Sequence, residues 1–127
     1  MIDHMSITVT DLERAKAFYA AALAPLGIGV GLELPDAVGF RRKQRRSGDD
    51  SVGGFWIAQG TPCEPRVHVA FAAASRDEVA AFHAAALAGG GRDNGGPGLR
   101  PHYHENYFAA FVFDPDGYNI EAVCHTP

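Results

Sequence analysis

Cysteine is scarce in this chain. Cys63 and Cys124 are the only two among 127 residues, and they form no C-x-x-C spacing. Two such thiols cannot build a disulfide framework, and a reduced, cytoplasmic protein is the expectation. Neither sits in an evident cationic or helix N-terminal setting, so both are expected to be unreactive. Long hydrophobic runs are missing as well, since none approaches the ~20 residues of a membrane span. A positive balance is missing too: the net charge is −4 with the six histidines neutral, which disfavours nucleic acid or an anionic membrane as partner. The opening "MIDHMSITVTD" enters patterned sequence directly, without a basic and apolar leader. No G-K-[ST] accompanies the glycines, which excludes a phosphate-cradling P-loop. No Ser-His-Asp order can be assigned, and no paired-carboxylate motif suggests glycosidase chemistry.

What is present is a globular composition, 46% hydrophobic and 20% charged, long enough for one domain over residues 1–127. Fifteen glycines and eight prolines imply many tight turns between short strands. The chain is also written twice. Residues 4–27, "HMSITVTDLERAKAFYAAALAPLG", align without a gap to residues 68–91, "HVAFAAASRDEVAAFHAAALAGGG". They share nine identities, among them His4 with His68 and Phe18 with Phe82. Alanine-rich helices inflate such matches, so the histidine placed identically before each helix carries more weight.

"IDHMSITVT" alternates as a two-faced strand, and "RVHVAFAA" is its counterpart. Thr10 with Glu13, and Ser75 with Glu78, read as capping pairs for the helices that follow. Leu12, Ala15, Tyr19, Ala22 and Leu26 give the first helix its apolar face, and Val79, Phe82 and Leu87 serve the second. Shorter segments follow each helix: "IGVGLEL", "AVGFRRK" and "GGFWIA" in the first half, then a weak one near residues 90–95, "YFAAFVF" and "YNIEAVC" in the second. The reading is α+β: tandem βαβββ modules over about 1–60 and 65–127, joined by "QGTPCEP".

Glu121 is the odd letter in "YNIEAV", because an ionised carboxylate in a buried strand needs a cation or strong hydrogen bonds. His4 and His68 hold matching places on the first strand of each half, and pseudo-twofold symmetry would bring them to one surface with Glu121. Two imidazoles and a carboxylate form a triad for a divalent metal, with the remaining positions open to water or substrate.

"HMSITVTDLERAKAFY", "HVAFAA" and "DPDGYNIEAV" together resemble the vicinal-oxygen-chelate superfamily of glyoxalases, extradiol dioxygenases and bleomycin- or fosfomycin-resistance proteins. The resemblance spans essentially the whole chain, and D-P-D-G-x-x-x-E ending at Glu121 is its most specific part. It implies paired modules forming a cupped mixed sheet with helices outside. It also implies metal ligands at His4, His68 and Glu121, and a cofactor among Fe, Mn, Zn and Ni. The expected partner is a small molecule with vicinal oxygens, and a homodimer is expected because such cups are often completed across subunits. The alternative within the family is a metal-free cup that sequesters a drug.

The departures narrow this. The glyoxalase pattern carries a fourth ligand on the last strand of the first half, where "GGFWIAQG" offers Trp56 or Ile57 and no carboxylate. The extradiol pattern adds a histidine and a tyrosine before the D-P turn. His102 or His104 meets the first requirement, but Phe111 occupies the tyrosine position. Tyr107, four residues earlier with the same parity, is not expected to substitute simply. His102, His104 and Tyr107 are the candidates for proton transfer or substrate orientation. Trp56, Arg100, Tyr103 and Phe111 are the candidates for substrate contact. The glycine-rich stretch 89–104 is either a cover for the site or a plain loop. "RRKQRRSGDD" reads as a solvated hairpin end.

Overall fold

The computed structural model describes all residues, 1–127. The first half runs β1 (Met5–Val9), α1 (Leu12–Leu23), a 3-10 turn (Ala24–Leu26), β2 (Ile28–Leu34), β3 (Ala37–Arg42) and β4 (Phe55–Gln59). The second runs β5 (His68–Ala72), α2 (Arg76–Ala88), β6 (Arg92–Asp93), β7 (Gly98–Leu99), β8 (Phe108–Phe113) and β9 (Asn119–Cys124). The first sheet has the order β1-β4-β3-β2, and the second β5-β9-β8-β6 with β7 also on β8. In each, the opening strand pairs in parallel with the closing strand, while the remaining pairs are antiparallel. The architecture is thus α+β, with two helices and two mixed sheets. β1 and β5 each end the order of their sheet, leaving one edge unpaired.

The helix starts show where local reading succeeds and where it slips. Ser75 caps α2 by accepting from the Glu78 amide, and Glu78 reaches back to the Ala74 amide at 2.7 Å. In α1 the cap is Asp11, which accepts from the Arg14 amide, rather than Thr10. The 64-residue offset that pairs His4 with His68 also pairs Asp11 with Ser75, so the repeat itself contained this correction. Thr10 instead gives its amide and hydroxyl to Asp116, at 3.1 and 2.6 Å. At the end of α1, Gly27 adopts φ 72°, a left-handed turn that favours glycine.

One apolar cluster of 22 buried residues runs through both halves. Phe18 and Phe82, matched by the repeat, are both fully buried in it, each worth about 2–3 kcal/mol of apolar burial. Polar bonds fasten the halves at the "DPDG" turn. Asp114, buried, accepts from the Tyr19 hydroxyl at 2.5 Å and from the amides of Asp116 and Tyr118, both at 2.9 Å. Tyr118 donates its hydroxyl to the Thr8 carbonyl at 2.7 Å and accepts from the Cys63 amide at 3.2 Å. The D-P-D-G turn is therefore a joint between halves, and Glu121 follows it in β9.

The 89–104 stretch is laid along β8 rather than hanging free. Its strands β6 and β7 pair with β8, and the Asn94 amide and Gly95 carbonyl bond the backbone of Phe111 between them. The 41–50 segment is organised by Asp49, which accepts from Arg42 and from the Arg46 amide. That amide bond is the main reason the Asp49 carboxyl lies below its usual range. Both cysteines are free, Cys63 exposed and Cys124 buried. No helix is long and apolar enough to cross a membrane.

Candidate metal and substrate site

Glu121 is 2% exposed, in the middle of β9 between β5 and β8. Its neighbours on the two strands are Ala70 and Phe111, so small and flat side chains leave its carboxylate room to turn. His68 comes from the first position of β5, with Nε2 at 2.8 Å from Glu121 Oε2. The other oxygen, Oε1, accepts from the Tyr107 hydroxyl at 2.5 Å. Burial, then the bond to Glu121 and its charge, push the Tyr107 phenol up to about 12, so it acts as a standing donor at neutral pH. Tyr107, rather than Phe111, thus brings a hydroxyl to Glu121. It sits just before β8, outside the strand's alternation, and the turn at 100–107 aims it at Glu121.

The hydrogen count at His68 is informative. Its Nδ1 lies 2.9 Å from the Asn119 carbonyl, which can only accept, so Nδ1 carries a proton. The neutral ring then turns the bare lone pair of Nε2 toward a carboxylate oxygen. Two acceptors at 2.8 Å repel unless a proton or a metal cation lies between them. The carbonyl that orients His68 is the kind of partner that fixes a metal-binding tautomer. One imidazole and one carboxylate are donors of the kind a divalent cation takes, and a proton shared as an ion pair meets the same contact.

His4 lies elsewhere in the single chain. Its Nδ1 is 2.6 Å from Asp3 Oδ1, and that bond raises its pKa. It lines an open hollow with Ser6, Asp50, Val52 and Trp56. No group of three or more His, Cys, Asp or Glu side chains forms a metal cluster within one chain. Trp56 pairs with Ser6 as Glu121 pairs with Ala70, and Ser6 and Ala70 match in the repeat. Trp56, not Ile57, is thus the first-half counterpart of Glu121. A methyl group at Gly39 would come within 2.7 Å of the indole, which lies flat on β3 and donates Nε1–H to the Gly53 carbonyl at 3.0 Å.

The other candidates divide. Phe111 stacks on His68 with ring centroids 6.1 Å apart, so it borders the His68–Glu121 pair. Arg100 lies over Phe111 but gives its guanidinium hydrogens to the carbonyls of Gly98 and Gly96, at 2.8 and 2.9 Å. Tyr103 packs between His102 and Tyr107, with centroids 4.3 and 4.8 Å away. His104 packs on Tyr107 and meets His125 at 3.0 Å. His125 was not singled out in the sequence. It lies beyond the last strand, where no alternation marks a face, and only its packing on Tyr107 reveals it. A separate hollow of about 480 Å³ opens where Phe40, Phe55 and Phe71 come near the surface.

Residues 1–122 match the model of the glyoxalase/bleomycin resistance protein/dioxygenase superfamily. A glyoxalase/bleomycin resistance protein from Albidiferax ferrireducens T118 is 32% identical, with a TM-score of 0.78 and 98% of each chain covered. Lactoylglutathione lyase from Agrobacterium tumefaciens shares the fold at 17% identity and TM-score 0.67, over 98% of this chain and 92% of that one. Fosfomycin resistance protein FosX from Mesorhizobium loti shares it at 20% identity and TM-score 0.69, over 99% and 92%. No curated protein matches the sequence significantly. The chain belongs to the glyoxalase/bleomycin resistance protein/dioxygenase superfamily.

Proposed function

We propose that this protein is a divalent-metal-dependent enzyme acting on a small substrate with vicinal oxygens, and that it works as a homodimer. The observation that carries the reading is the His68–Glu121 contact, where two facing acceptors at 2.8 Å hold a place that a divalent cation can take from a proton. His68 and Glu121 supply two ligands and His4 the third, drawn from Fe, Mn, Zn or Ni. Such an ion acts as a Lewis acid toward two neighbouring oxygens of the bound substrate.

His4 and the His68–Glu121 pair lie in different halves, each half ending in an open strand edge, β1 or β5. A second copy pairing β1 with the partner's β5 would bring His4 to the partner's pair and close both edges.

Within the chain, the Asn119 carbonyl orients His68, and the Tyr107 hydroxyl holds Oε1 so that Oε2 is the oxygen left for ligation. Tyr107 stays protonated at neutral pH, and with its proton given to Glu121 its oxygen can accept from a substrate hydroxyl beside it. Phe111 covers one side of His68 and limits water there. Metal analysis of the purified protein beside His68→Ala is the test. A near-stoichiometric divalent ion in the parent and its loss in the variant are expected; no ion in either removes the reading.

Trp56 supports a second reading, a metal-free binding protein. An indole replaces the first-half carboxylate and faces an open hollow beside His4. Ligand-induced thermal shifts that persist in chelator would favour it.

A further inference from the structure

We infer that His104 and His125 form a second, independent site for a late first-row divalent cation, Cu2+ foremost. His104 Nε2 and His125 Nδ1 face each other at 3.0 Å, with the two rings 5.1 Å apart and tilted by 36°. The Asn106 amide donates to His104 Nδ1 at 3.2 Å, so that nitrogen is bare and the ring's one proton sits on Nε2, between the two imidazoles. A cation can take the place of this shared proton. With metal–nitrogen bonds near 2.0 Å, two imidazole nitrogens stand ~2.8 Å apart in a square-planar ion and ~3.3 Å apart in a tetrahedral one. The observed 3.0 Å lies between these values.

Both rings are already seated. Tyr107 meets His104 edge to face at 5.4 Å and His125 at 5.2 Å, so one phenol ring holds both ligands while its hydroxyl is held by Glu121. Metal binding moves the His104 proton from Nε2 to Nδ1 and gives up the Asn106 bond; no proton leaves the neutral pair. No third His, Cys, Asp or Glu joins the two, so water completes the coordination. Two neutral imidazoles with open, exposed positions rank Cu2+ above Ni2+ and Zn2+. The site is distinct from the His68–Glu121 pair, and Tyr107 is the side chain common to both.

The test uses full-length protein carrying His68→Ala, which removes the other centre whether or not that centre binds metal. Cu2+ is titrated into it and into the His68→Ala, His125→Ala double variant, followed by electron paramagnetic resonance. The expected result is one Cu2+ per chain with hyperfine structure from two imidazole nitrogens, bound at least tenfold more weakly in the double variant. Equal affinity in the two proteins, or a spectrum without two nitrogen ligands, overturns the site. His104 and His125 are exposed, so the substitution should leave the fold intact, and circular dichroism checks that it does.

Discussion

Glu121 shows how much one side chain can require of its surroundings. A carboxylate 2% exposed would be costly alone, yet Tyr107 donates to one oxygen and His68 faces the other. Two consequences can be measured. Because His68 Nε2 and Glu121 Oε2 present the same place to a proton or a metal, divalent-metal affinity at this pair should fall as pH is lowered, read by calorimetry. The Tyr107 phenol is held at about 12 in the folded protein against 10.0 ordinarily. Since the folded value is the higher one, the Tyr107–Glu121 bond supports folding fully below pH 10 and loses that support as pH rises through 12. Glu121→Gln should move the phenolate absorbance of Tyr107 toward the ordinary tyrosine value. An unchanged alkaline titration would mean that burial alone, and not the Glu121 charge, raises the phenol.

Among the elements, the turn between β8 and β9 joins the two halves. Asp114 gathers the Tyr19 hydroxyl and two amides, and Asp116 takes both donors of Thr10. Asp114→Ala should destabilise the protein by about 3 kcal/mol by leaving buried donors without an acceptor, measurable by urea unfolding. Burial raises the Asp114 pKa above 3.8, so its ionised form costs stability at neutral pH. That cost fades as pH falls through the raised value, a gain the Ala variant cannot make, so the substitution should matter more there. Gly117 closes the same turn at φ 89°, where Gly117→Ala should cost about 1 kcal/mol.

These elements also show how far the sequence could be read. The repeat and the strand alternation placed β1 to β5, β8 and β9 and both helices, because period and caps are local signals. The α1 cap was misassigned to Thr10 because two neighbouring residues can both cap and only tertiary contacts decide between them. Glu121 and His68 were legible from parity. Tyr107 was legible as a candidate from its parity with Phe111, though not the turn that brings it to Glu121; His125 was not, because it lies beyond the last strand, where no periodicity records a direction.

For the whole molecule, the decisive fact is the distribution of the three proposed ligands. His68 and Glu121 share one half, His4 lines a hollow in the other, and the opening strand of each half, β1 or β5, lies at a sheet edge. A partner supplying His4 makes each metal centre a property of two chains. Subunit mixing tests this most directly. His4→Ala and Glu121→Gln proteins, both also carrying His125→Ala to remove the second site and each without the shared site alone, are denatured together, refolded and assayed for bound divalent metal against the His125→Ala parent. Random pairing makes half of the dimers mixed, each with one intact site of two, so about one quarter of the parent's metal content should return. A mixture binding no more metal than its separate components would contradict a site shared between two copies.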